Sequence, residues 1–69
     1  MTRTKILRAR LLLINKLIGD VIDELRNYGI DTDYSEFSKA YNKRINGKKA
    51  ENIREITEKI VSGWEEEQG

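Results

Sequence analysis

Three residue types are missing from this chain: cysteine, histidine and proline. Without thiols there is no disulfide framework, no thiolate zinc site and no cysteine nucleophile, and a cytoplasmic setting suits the chain. Without imidazole it lacks the commonest metal ligand and the usual general base near neutral pH, so we expect no enzyme, no metal and no cofactor. Long apolar runs are missing too. Nothing approaches the roughly 20 residues that span a bilayer, and Arg8 and Arg10 interrupt the one candidate, so neither a spanning helix nor a signal peptide is expected. Residues 3 to 18 also read poorly as a helix lying on a membrane, because their cations are not opposed to a clean apolar face. No membrane partner and no small-molecule substrate are therefore expected. With 69 residues, few aromatics and no repeat, the composition favours one small helical domain. Such a domain is near the lower limit at which a single core holds a fold, so a second copy would help.

Net charge is only +1, yet its distribution along the chain is uneven. Residues 1 to 16 carry Arg3, Lys5, Arg8, Arg10 and Lys16 with no acid, and residues 38 to 49 carry Lys39, Lys43, Arg44, Lys48 and Lys49 with no acid. The segments between and after them are acidic. If the fold brings the two basic blocks together, one side of the molecule can neutralise phosphates. The alternative is that basic and acidic blocks pair with one another inside the molecule.

From Lys5 to Arg26 the pattern is helical, with Leu7, Leu11, Ile14, Ile18, Val21 and Leu25 spaced by fours and threes. Asn15 and Gly19 are the weak interior points. We expect two helices with a corner near Leu13 to Lys16, Asn15 capping the second, and a single fused helix as the alternative. Gly29 suits the left-handed residue that closes a helix, and Ile30-Asp31-Thr32 a short extended connection. A last helix, with Ile53, Ile56, Ile60 and Trp64 on one side, should start near Ala50. Glu65 to Glu67 lie at the wrong end of its dipole and should fray.

The most informative stretch is Asp33 to Gly47. Asp33 followed by Glu36 is a capping-box pattern, Gly47 marks an end, and Tyr34, Phe37, Tyr41 and Ile45 make one apolar stripe. The opposite face presents Ser35, Ser38, Lys39, Asn42 and Lys43, short hydrogen-bonding groups among cations, which suits a major groove as well as plain solvent. The expected helices are therefore about 5–13, 16–27, 34–45 and 50–66.

Glu36-Phe37-Ser38-Lys39-Ala40-Tyr41-Asn42, followed by Lys49-Ala50 and then Ile53, Ile60 and Trp64, resembles the small phage-type Cro/repressor-like (XRE-like) helix-turn-helix proteins of Gram-positive bacteria and their mobile elements. The resemblance implies an all-α, four-helix helix-turn-helix domain that binds double-stranded DNA as a homodimer and regulates transcription, as a repressor. It departs from the family in Leu17-Ile18, where Thr-Gln is common, and in Lys43, where glycine is common; Lys43 extends the expected third helix to about Ile45. On this reading Tyr34, Ser35, Ser38, Lys39, Asn42 and Lys43 face bases, and Arg3, Lys5, Lys16, Arg44, Lys48 and Lys49 contact phosphates. Leu11, Ile14, Val61 and Trp64 are the expected dimer contacts. The competing expectation is a small interaction module, an inhibitor or antirepressor, that offers the 5–26 apolar stripe to a host or phage protein.

Overall fold

The first three helices begin where the sequence supplies an acceptor for a free amide. In the computed structural model, which describes residues 2–68, α1 (Arg3–Leu12) starts under the Thr2 hydroxyl, which accepts from the Lys5 amide at 3.3 Å. The α3 helix (Tyr34–Tyr41) starts at Asp33, whose carboxylate accepts from the Glu36 amide at 2.7 Å. Glu36 does not reach back to complete a capping box; its carboxylate goes to the Thr32 hydroxyl and to Lys49. The α2 helix (Ile18–Asn27) uses the other half of that motif, with Asp20 accepting from the Leu17 amide at 2.8 Å. The α4 helix, Lys48–Gln68, follows Gly47.

The first three helices end alike. Asn15, Gly29 and Lys43 all have positive φ, of 58°, 85° and 61°. Around each, the next amide reaches back five residues: Lys16 to the Leu11 carbonyl at 2.9 Å, Ile30 to Leu25 at 2.9 Å and Arg44 to Lys39 at 2.8 Å. These are Schellman closures, which satisfy the last carbonyls of a helix by turning one residue left-handed. Two expectations change accordingly. Asn15 closes α1 instead of capping α2, so the chain makes two helices with a corner at 13–17 and α2 begins at Ile18. Lys43 adopts the backbone that glycine would adopt there, so α3 stops at Tyr41 instead of running to Ile45. A left-handed residue with a Cβ costs about 1–2 kcal/mol. We therefore expect Lys43→Gly to raise stability by about 1 kcal/mol after glycine's own entropy is subtracted, or about 4–8 °C in melting midpoint followed by circular dichroism. An unchanged or lower midpoint would contradict this account of the α3 end.

The four helices enclose one core. All six residues of the Leu7, Leu11, Ile14, Ile18, Val21 and Leu25 stripe are buried, together with Phe37, Ala40, Ile53, Ile60 and Val61. Phe37 stacks on the half-buried Tyr41, with ring centroids 5.5 Å apart. Leu11 and Val61 are wholly inaccessible and Ile14 nearly so, which removes three of the four expected dimer contacts, since each is already spent on the chain's own core. The 5–26 apolar stripe is unavailable to a partner for the same reason. Trp64 stays partly exposed, with the Lys16 ammonium 4.8 Å from its ring centroid. The expected fraying at Glu65 to Glu67 does not occur: α4 continues to Gln68, and Glu65 meets Arg10 of α1 at 2.6 Å.

Candidate nucleic-acid interface

The two basic blocks are joined at one point. Near the N-terminus of α1 the Thr4 amide donates to Oδ1 of Asn42 at 3.0 Å, while Nδ2 of Asn42 donates to Oγ1 of Thr4 at 3.1 Å and to Oγ of Ser38 at 3.3 Å. One turn further on, Arg8 donates to the Tyr34 hydroxyl. Helix α1 therefore lies along the side of α3, its start against the end of α3. This brings the chain segment of Arg3 and Lys5, which flank Thr4, to the same end of α3 as Lys43 and Arg44, which follow Asn42.

The same clamp changes the roles of the expected reading residues. Asn42 was expected among the base readers, but both ends of its amide are committed to Thr4 and Ser38. Ser38 is half-buried under that contact, and the Tyr34 hydroxyl is engaged by Arg8. Ser35, Lys39 and Lys43 are exposed and make no side-chain hydrogen bond or ion pair among the described residues. They are what remains of the outer face of α3.

Of the expected phosphate contacts, Lys16 lies on Trp64 and Lys49 pairs with Glu36 at 3.0 Å. Arg3, Lys5, Arg44 and Lys48 are exposed and form no ion pair among the described residues. Two basic residues outside that set serve the fold instead. Arg10 forks to Glu58 at 3.0 Å and Glu65 at 2.6 Å on α4, and Arg54 donates to the Ala40 carbonyl at 2.9 Å, beside the Lys43 amide that the same carbonyl accepts at 3.1 Å, tying α4 to the end of α3. The basic and acidic blocks thus do pair, but only in part.

Electrostatic shifts follow these contacts. The hydrogen bonds that Arg10 donates to Glu65 and then to Glu58 push its guanidinium pKa up, and the bond to Glu65 holds that carboxyl below its ordinary range. The Thr32 hydroxyl, followed by Lys49, lowers that of Glu36. A carboxyl depressed in the folded state contributes stability above its unfolded pKa and loses it as pH falls through the folded value, so both contacts weaken on acidification. Burial, chiefly, raises the Tyr41 phenol.

The clamp is the feature that sequence reading missed. Its one visible signal is Thr4, a polar residue in register with Leu7 and Leu11 on the inward side of α1, which asks for a polar partner. Among the described residues no cluster of acidic side chains is placed to hold a metal ion. No helix there is long and apolar enough to cross a membrane. No protein-family model, curated protein or solved structure matches this chain.

Proposed function

We propose that this chain binds duplex DNA in the manner of a small helix-turn-helix regulator, a repressor of a phage or mobile element, acting as a homodimer on a paired site. The observation that carries the reading is the Thr4–Asn42 clamp, which brings the start of α1, with Arg3 and Lys5, to the end of α3, with Lys43 and Arg44, all four exposed and without a carboxylate partner among the described residues. Arg3, Lys5, Arg44 and Lys48 supply phosphate contacts that set register, and Ser35, Lys39 and Lys43 on α3 read base edges. Lysine suits guanine acceptors in the major groove and serine suits several bases. The phage setting and the repressor role rest on the likeness of the Glu36–Asn42 run alone.

Reading and sticking are separated by two exposed residues that the fold does not use. Lys39→Ala should lower preference for DNA from the protein's own promoter region by about 1–3 kcal/mol while leaving binding to random duplex nearly intact. Lys48→Ala should weaken both alike. Fluorescence anisotropy with the two DNAs, at matched salt, is the measurement. Identical behaviour of the two variants would remove Lys39 from the reading set, and failure of the parent chain to bind either DNA would end the proposal.

A further inference from the structure

Helix α1 is apolar on two sides. Leu7 and Leu11 face the core, whereas Ile6, Ala9 and Leu13 recur at spacings of three and four on the opposite side and are exposed. At the corner Leu12 and Leu17 join them. Exposure is 51% for Ile6, 62% for Leu12, 86% for Leu13 and 65% for Leu17. Side chains this bare project outward and cannot be the walls of a groove.

We propose that the outer face of α1 and the α1–α2 corner seat in the interface of an anionic lipid bilayer. Three observations select that occupant. The charges beside the stripe are cations, Lys5 and Arg8 on one flank and Arg3 and Arg10 on the other, and no acid precedes Asp20. Arg10 is already neutralised by Glu58 and Glu65, and Asp20 is turned to the Leu17 amide, so Arg3 and Lys5, the same cations proposed to meet DNA phosphates, provide the attraction together with Arg8, whose guanidinium keeps its charge while it donates to the Tyr34 hydroxyl. A second copy seated on this face would bring those cations against their own kind.

The corner's amides are closed as well. The amides of Leu13, Ile14, Asn15 and Lys16 donate to the carbonyls of Ala9, Leu11, Leu12 and Leu11, and that of Leu17 to Asp20. The carbonyls of Leu13, Ile14, Asn15 and Lys16 accept no backbone amide among the described residues, so the corner seats at headgroup depth, where they stay hydrated, and not in the acyl core. Finally, the core residues of α1 account for the apparent mixing of apolar and basic positions in the sequence. Once Leu7, Leu11 and Ile14 turn inward, the rest is an apolar stripe between cationic flanks, the pattern of a helix lying in an interface. Asn15, exposed at the tip, keeps the insertion shallow.

The test is co-sedimentation of the full chain with vesicles of phosphatidylcholine containing about 30% phosphatidylglycerol, beside vesicles of phosphatidylcholine alone. The expected result is partition into the anionic vesicles only, reduced at least about tenfold in the Leu12→Gln, Leu13→Gln double variant. Both positions are solvent-exposed, so the melting curve of the variant should match the parent. DNA binding by the variant should be unchanged, because neither leucine is among the proposed DNA contacts and Arg3 and Lys5 are retained, which separates failure here from failure of the DNA reading. No partition, equal partition into both vesicles, or a variant that binds like the parent would each overturn the proposal. So would a dimer in sedimentation that the double variant dissolves while vesicles leave the parent free, because the face would then belong to a second copy.

Discussion

Asn42→Ala lowers the unfolding free energy by about 2 kcal/mol, read as a shift in urea midpoint with an unchanged slope. The size follows from what is orphaned. Thr4 is buried, and its amide is one of the first of α1, with no partner inside the helix; without Oδ1 of Asn42 at 3.0 Å it has no acceptor. A buried donor left unmatched costs about 1–3 kcal/mol, and the Thr4 and Ser38 hydroxyls lose a donor at the same time. For a domain of this length that is a fall of roughly 8–16 °C in melting midpoint. An asparagine on an open reading face behaves otherwise, because exposed substitutions usually stay within about 0.5 kcal/mol. Thr4→Val tests the pairing, since it removes the hydroxyl and keeps the amide. The cost of Asn42→Ala should then be smaller in the Thr4→Val background than alone, the mark of partners that touch. Equal costs in the two backgrounds, or an Asn42→Ala variant as stable as the parent, would mean that no clamp joins α1 to α3 in solution.

Asn42 also illustrates how far sequence carries. Periodicity reports which side of a helix is apolar, and so the Leu7 to Leu25 stripe, the all-α class and the four helices were legible. The start of α3 was legible because Asp33 carries its acceptor locally. Helix ends were less so. A Schellman closure needs one left-handed residue, and only Gly29 among the three announces itself; Asn15 is ambiguous between cap and closure, and Lys43 gives no signal at all. Partnerships across the chain were not legible. Thr4 with Asn42, Arg10 with Glu58 and Glu65, and Lys49 with Glu36 join residues whose meeting depends on how α1 and α4 settle on α3. A periodic pattern also speaks for one face of a helix only. In α1 the Leu7, Leu11 and Ile14 repeat accounts for the core side alone and leaves Ile6, Ala9 and Leu13, on the other side, without a role.

Those partnerships decide how DNA binding should respond to salt. Each phosphate neutralised on duplex DNA contributes about −0.9 to the slope of log affinity against log salt. Arg3, Lys5, Arg44 and Lys48, the proposed phosphate contacts, make no ion pair among the described residues, so each can release counterions from DNA without first giving up a carboxylate. Lys49 is left out because of Glu36, although an exposed pair of this kind is worth little and yields readily. Four contacts give a slope of about −3.6 and a loss of roughly a hundredfold in affinity between about 50 and 200 mM salt. Arg44→Gln with Lys48→Gln should reduce the slope by about two units. Arg10→Gln should leave it unchanged while lowering the melting midpoint, since Arg10 is spent on α4. The three curves together distinguish a defined basic surface from general cationic stickiness, in which every arginine counts alike. A flat salt response in the parent chain, or an Arg10 variant that loses as much slope as one of the surface cations, would contradict the assignment of charges made here.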